Sequence, residues 1–181
     1  MMNRWEKAEG SPFPMGSTWI AEEQAFNFSL YSKHAEVVRL LLYSPVDLAS
    51  PVFMYDFDYR KNKSGPVWHC RVSCQDVADA RYYAYRVDGP APERGFNWHN
   101  FDFEKLLLDP YAKAVFIPDT FSREAASQPG SNAGKAALGH LPFADGAFDW
   151  EVAESPRRDS NLVIPASRAQ GFTQHPPPGR L

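Results

Sequence analysis

The sequence predicts an all-β protein: an immunoglobulin-like β-sandwich followed by a largely irregular C-terminal tail. Three observations lead there. Apolar and polar residues alternate over short runs in the front two-thirds of the chain, the period of half-buried strands. Turn-forming residues separate the runs at regular intervals, as in a sandwich. No segment before residue 100 shows a long helical period.

The elements follow in order. Run 25–31 places Phe26, Phe28 and Leu30 on one face, with Asn27 and Ser29 on the other. In run 37–43, Val38, Leu40 and Leu42 share one face, while Val37, Arg39, Leu41 and Tyr43 share the opposite one. That second face is too apolar for open solvent, so something is expected to cover it. Ser44-Pro45 ends the run, and 52–57 is a third strand. A turn spans 62–66, punctuated by Gly65-Pro66. Strand 67–72 points Trp68, Cys70 and Val72 inward and His69 and Arg71 outward. Strand 81–87 is closed by Asp88-Gly89-Pro90, and 114–117 is the last. Asp109-Pro110 has the form of an N-cap followed by proline at the first helical position, the start of one short helix.

Composition divides the 181 residues. All but four of the aromatic residues lie at or before Phe121, whereas seven prolines and six glycines fall in 122–181. The front can bury a core and the back mostly cannot. The expected division is an N-terminal extension at 1–11, a sandwich at 12–120, and a linker with an irregular tail at 121–181. Charge is near balance, with 19 basic and 22 acidic residues, so no basic excess points to nucleic acid. No apolar run is long enough for a membrane helix, and residues 1–10 lack a signal-peptide core. Two cysteines, Cys70 and Cys74, are expected to be reduced thiols in a cytoplasmic domain.

Catalytic and metal patterns are not found. Asp56 and Asp58 share a strand face and Asp76 and Asp79 a loop, with no spacing that holds two acids across a cleft. The five histidines are scattered, and neither a nucleophile elbow nor a phosphate loop occurs. No catalytic residue, metal or cofactor is therefore expected. The remaining chemistry is aromatic, since a sugar ring stacks its apolar face on Trp or Tyr while its hydroxyls seek polar neighbours. Tyr55, Phe57 and Tyr59 alternate beside Arg60, Lys61, Asn62 and Lys63. This pattern reads either as a sugar-docking patch reaching Tyr59 or as core ending in a basic turn. Trp98, in the loop Gly95-Phe96-Asn97-Trp98-His99-Asn100, is a second platform or an ordinary loop residue. Trp68 belongs to the inward face of its strand.

Several stretches in order resemble the N-terminal module of isoamylase-type glycogen debranching enzymes of glycoside hydrolase family 13. They are Pro12-Phe13-Pro14-Met15-Gly16-Ser17-Thr18-Trp19, then Phe26-Asn27-Phe28-Ser29-Leu30-Tyr31-Ser32, then Tyr83-Ala84-Tyr85-Arg86-Val87-Asp88-Gly89-Pro90, then Lys105-Leu106-Leu107-Leu108-Asp109-Pro110-Tyr111-Ala112-Lys113-Ala114. The resemblance implies a carbohydrate-binding module 48 sandwich ahead of a (β/α)8 barrel that cleaves α-1,6-glucosidic branches. It implies two partners, an α-glucan and a glycoside hydrolase barrel, the latter in the same polypeptide or assembled in trans. The barrel-packing surface it implies comprises Leu41, Tyr43, Leu107 and Tyr111, exposed where no barrel covers them. In the tail, Ala147-Phe148-Asp149-Trp150, Leu162-Val163-Ile164 and Gly171-Phe172-Thr173-Gln174-His175-Pro176 resemble the approach to the barrel and its first strand segment. Pro165-Ala166-Ser167-Arg168-Ala169-Gln170 departs from the family pattern between them. A barrel needs about 200–250 residues, so the expectation is a module truncated before its barrel and inactive as a hydrolase alone.

Overall fold

Two antiparallel sheets face each other in the computed structural model, which describes residues 9–77, 79–91 and 100–142. In chain order the strands are β1 (Gly16–Ile20), β2 (Ala25–Tyr31), β3 (Val37–Tyr43), β4 (Phe53–Asp56), β5 (Lys63–Ser64), β6 (Val67–Ser73), β7 (Tyr82–Asp88) and β8 (Val115–Phe116). A one-turn helix α1 (Arg123–Ser127) and β9 (Leu138–His140) follow. One sheet has the order β1-β2-β6-β5 and the other β4-β3-β7-β9-β8. The described residues lie in the unit Met1–Asp145, and the unit Gly146–Leu181 with its expected tail motifs lies outside them.

The alternation reading locates the core. Phe26, Phe28 and Leu30 meet Val38, Leu40 and Leu42, together with Trp68, Cys70, Val72, Tyr83, Tyr85 and Val87. Phe28 and Tyr83 touch edge to face across the two sheets, with centroids 5.4 Å apart. The matching register pairs Phe28 with Cys70 within one sheet and Leu40 with Tyr85 within the other.

The outward faces differ from expectation. Asn27, Ser29 and His69 are buried, because residues 9–12 lie over them. Ser11 N–H donates to Asn27 Oδ1 at 2.7 Å, Asn27 Nδ2 returns a bond to Ser11 O at 2.9 Å, and Ser29 Oγ donates to Pro12 O at 2.6 Å. His69 Nδ1 lies 2.6 Å from Glu9 O, a carbonyl that only accepts. A proton therefore sits on Nδ1, and Nε2 lies 2.9 Å from Ser64 Oγ. Part of the supposed N-terminal extension thus completes the sandwich.

The far end also differs. Beyond residue 120, the expected linker supplies α1 and β9, which inserts between β7 and β8. Its Leu138, with Leu106 and Ala136, covers Leu41, Tyr43 and Ala84. Leu41 and Tyr43 are therefore buried under the chain's own segments, not exposed as a barrel-packing face. Burial also pushes the Tyr43 hydroxyl pKa up to about 12. Asp109-Pro110 starts a turn rather than a helix: Asp109 Oδ1 accepts from Tyr111 N at 2.8 Å, and its carbonyl from Ala112 N at 3.1 Å.

Candidate functional site

Of the three alternating aromatics, the structure gives two to the interior. Phe57 is buried, and Tyr55 packs edge-on against it with centroids 5.5 Å apart. Tyr59 alone stands out, 63% exposed. It sits in a tight turn in which Asp58 Oδ1 accepts from Arg60 N at 2.9 Å and the Asp58 carbonyl from Asn62 N at 2.7 Å. Lys63 lies between two rings, its Nζ 4.8 Å from the Tyr59 centroid and 4.4 Å from that of Trp68. The same Nζ donates to Ala35 O at 3.2 Å, and burial lowers its pKa. Trp68 is wholly buried, as its strand face predicts, and its Nε1 donates to Ser32 O at 3.0 Å. This patch offers one aromatic face with a cation and two further basic residues beside it. Trp98 lies outside the described residues.

Leu107 and Tyr111 sit on a different kind of feature. The stretch 105–111 is strapped to the sandwich by its backbone and its inward side chains. Leu107 exchanges both backbone bonds with Tyr85, at 3.0 and 2.8 Å. Asn132 clamps Leu106, its Oδ1 accepting from Leu106 N at 2.7 Å and its Nδ2 donating to Leu106 O at 3.1 Å. Tyr83 Oη donates to Asp109 Oδ2 at 2.9 Å inside the protein. Asp109 is 1% exposed, and burial raises its pKa. Gly16, at φ +87°, brings β1 against the Tyr111 carbonyl, where a Cβ would come within 2.6 Å. The stretches that carry the family resemblance therefore meet here: Gly16 against Tyr111, Tyr83 on Asp109, Tyr85 on Leu107.

What this strapping presents is apolar. Leu107, Leu108 and Tyr111 are 43%, 36% and 49% exposed, with Tyr31 at 53% and Phe13 at 68% beside them. Tyr31 joins two clefts: one of about 590 Å³ bordered by Leu107, Leu108 and Phe101, and one of about 390 Å³ bordered by Phe13 and Tyr111. A contiguous apolar surface of this kind on a rigid frame is what a protein–protein contact needs. Sequence reasoning missed Phe13 and Tyr31. Their signal was present as apolar residues within the resemblance stretches, but exposure depends on which neighbours the fold leaves away.

Two of the carboxylates are tied to arginines. Asp56 binds Arg39 through both oxygens, at 2.5 and 3.0 Å, and Glu23 does the same to Arg71, at 2.9 and 2.8 Å. Among the described residues no group of His, Cys, Asp and Glu is placed to hold a metal. Cys70 and Cys74 are free thiols, and burial raises the Cys70 pKa. No described helix is long and apolar enough to cross a membrane.

Comparison with known proteins places this geometry. The family model described as "Carbohydrate-binding module 48 (Isoamylase N-terminal domain)" matches residues 14–112. Isoamylase SU1, chloroplastic, of Zea mays is 33% identical over 171 residues, covering 92% of this chain and 20% of the maize protein. A glycogen debranching enzyme of Yersinia enterocolitica is 32% identical over 175 residues, covering 92% of this chain and 24% of its own length. The chain thus spans less than a quarter of either relative. The crystal structure of the Group B Streptococcus pullulanase SAP shares the fold, with a TM-score of 0.50 at 16% identity over 72% of this chain and 14% of that one.

Proposed function

Because the chain belongs to the carbohydrate-binding module 48 family, that of the isoamylase N-terminal domain, we propose that it serves an α-1,6-glucan debranching glycoside hydrolase as its accessory module. It packs against the catalytic barrel and supports glucan docking beside it. One observation carries this reading: a backbone strapped at Leu106, Leu107 and Asp109 that holds Leu107, Leu108 and Tyr111 outward. Fixing large apolar side chains in water is unfavourable unless a partner covers them, and a fixed frame lowers the ordering cost of docking. Leu107 and Tyr111 form the barrel-packing surface, joined by Tyr31 and Phe13.

The test uses the catalytic portion of the Yersinia enterocolitica debranching enzyme made without its matched N-terminal part. Adding this chain raises that portion's Tm if the reading is right. An unchanged Tm at saturating chain contradicts it.

A second contact, glucan on Tyr59, is supported by that ring's exposure and by the Lys63 ammonium fixed beside it. Trp98 remains a proposed partner platform on sequence grounds. Maltoheptaose titrated into the chain should bind, and Tyr59→Ala should weaken binding about fivefold or more, the loss expected for one stacking contact. Binding unaffected by Tyr59→Ala contradicts this contact.

A further inference from the structure

The larger of the two clefts that meet at Tyr31, of about 590 Å³, reaches the seam between the sheets. Its floor is made of buried core residues from both: Leu30 of β2 in one sheet, Tyr85 and Val87 of β7 in the other. Its sides are held in place. Leu107 is fixed by the two backbone bonds it exchanges with Tyr85. Ser32 N–H donates to the Pro66 carbonyl at 2.9 Å, and the Ser32 carbonyl accepts from Trp68 Nε1. Phe101 lies against Gly89, where a Cβ would fall 2.5 Å from its ring. The volume is that of a small-molecule site, and a preformed site spares its occupant the cost of ordering the walls.

The polar groups of the cleft are few and unlike one another. Tyr85 is 1% exposed, and its hydroxyl has no hydrogen-bond partner among the described residues. A buried hydroxyl left unpaired costs free energy, which an occupant able to bond it recovers. At the exposed rim, Lys33 carries the one permanent charge among the described lining residues, none of which is acidic. Leu30, Val87, Phe101, Leu107 and Leu108 make the surfaces between floor and rim apolar. A cation is repelled at Lys33. A plain hydrocarbon leaves the Tyr85 hydroxyl unpaired. A sugar chain would lose the hydration of most of its hydroxyls against leucine and valine.

We propose that this cleft binds an amphipathic carboxylate: a medium-length aliphatic chain with its anionic end at Lys33 and a second hydrogen-bonding group at the Tyr85 hydroxyl. The inference stands on the cleft alone and does not need the accessory-module reading. If that reading holds, the two are coupled: Tyr31, Leu107 and Leu108 serve both the cleft and the packing surface, so an occupant and a docked hydrolase weaken each other's binding.

The test titrates the full chain with three ten-carbon probes, followed by amide NMR shifts. 10-Hydroxydecanoate carries both groups, decanoate lacks the far hydroxyl, and 1,10-decanediol lacks the charge. 10-Hydroxydecanoate should shift the amides of 30–34, 85–87 and 100–108. Decanoate and the diol should each bind about threefold or more weakly, the loss expected for one hydrogen bond or one exposed ion pair. Tyr85→Phe should bind 10-hydroxydecanoate and decanoate equally, and should unfold at no lower a midpoint than the parent, since the hydroxyl it loses had no partner. Lys33→Gln should bind 10-hydroxydecanoate no better than the diol. Decanoate bound by the parent chain as tightly as 10-hydroxydecanoate overturns the proposal without need of any variant. So does a preference that survives in Tyr85→Phe, or a diol bound as tightly as the carboxylates. No shift at these amides with any probe overturns it too and leaves the accessory-module reading standing.

Discussion

Asp109 shows how one residue can be read correctly in type and wrongly in place. Asp-Pro is both a helix start and a turn start, and the local sequence cannot choose between them. The choice is made by Tyr83, distant in sequence, whose hydroxyl reaches the carboxyl group inside the protein. Burial raises the Asp109 pKa, offset in part by the Tyr111 N–H and the Tyr83 hydroxyl, and no basic side chain contributes. Tyr83 and Tyr85 are the titratable groups facing it, and both have raised pKa values of their own through burial. The folded state therefore holds the Asp109 proton more tightly than the unfolded chain does. Its contribution to stability is complete below the unfolded-state value and is lost as pH rises through the raised folded value. Asp109→Asn keeps an acceptor for Tyr111 N–H and removes the charge. Urea unfolding from pH 4 to 8 should show the variant gaining on the parent as pH rises; a pH-independent difference would refute buried ionisation here. His69 makes the same point about place: strand alternation put it outward correctly, but not the nine-to-twelve segment that covers it.

Among the elements, β2, β3, β6 and β7 were legible because each alternates over seven residues and buries one complete face. β1, β5 and β9 were not. β5 has two residues and β9 three, too few to show a period, and β9 carries Gly139 at its centre. The apolar second face of β3 did announce a cover, and the chain supplies it from Leu106, Ala136 and Leu138. The strap at 105–111 could not be read from spacing, since its bonds run to Tyr85 and Asn132. Asn132 is 3% exposed and satisfies both backbone groups of Leu106. Asn132→Ala leaves a buried N–H and a buried carbonyl without that partner, and should cost about 2–4 kcal/mol. Chemical denaturation measures this, and a loss well below 1 kcal/mol would mean the clamp is not what holds the strap.

For the whole molecule, two surfaces divide the work proposed for it. The Tyr59 turn presents an aromatic ring with polar neighbours, suited to sugar. The surface from Phe13 through Tyr31 to Leu107 and Tyr111 is apolar and suited to protein. The sequence offers Tyr59, Leu107 and Tyr111 as surface residues, and they are exposed, whereas Leu41 and Tyr43 lie under Leu106, Ala136 and Leu138. The packing claim is tested most directly by calorimetric titration of this chain into a debranching-enzyme catalytic portion that lacks its N-terminal module. The account predicts a complex for the parent chain with a negative heat-capacity change, the mark of apolar burial. It predicts an affinity at least about tenfold weaker for Leu107→Ser/Tyr111→Ser, whose own fold is unchanged because both side chains are exposed. Equal affinity for parent and variant, or no complex with either, would contradict it.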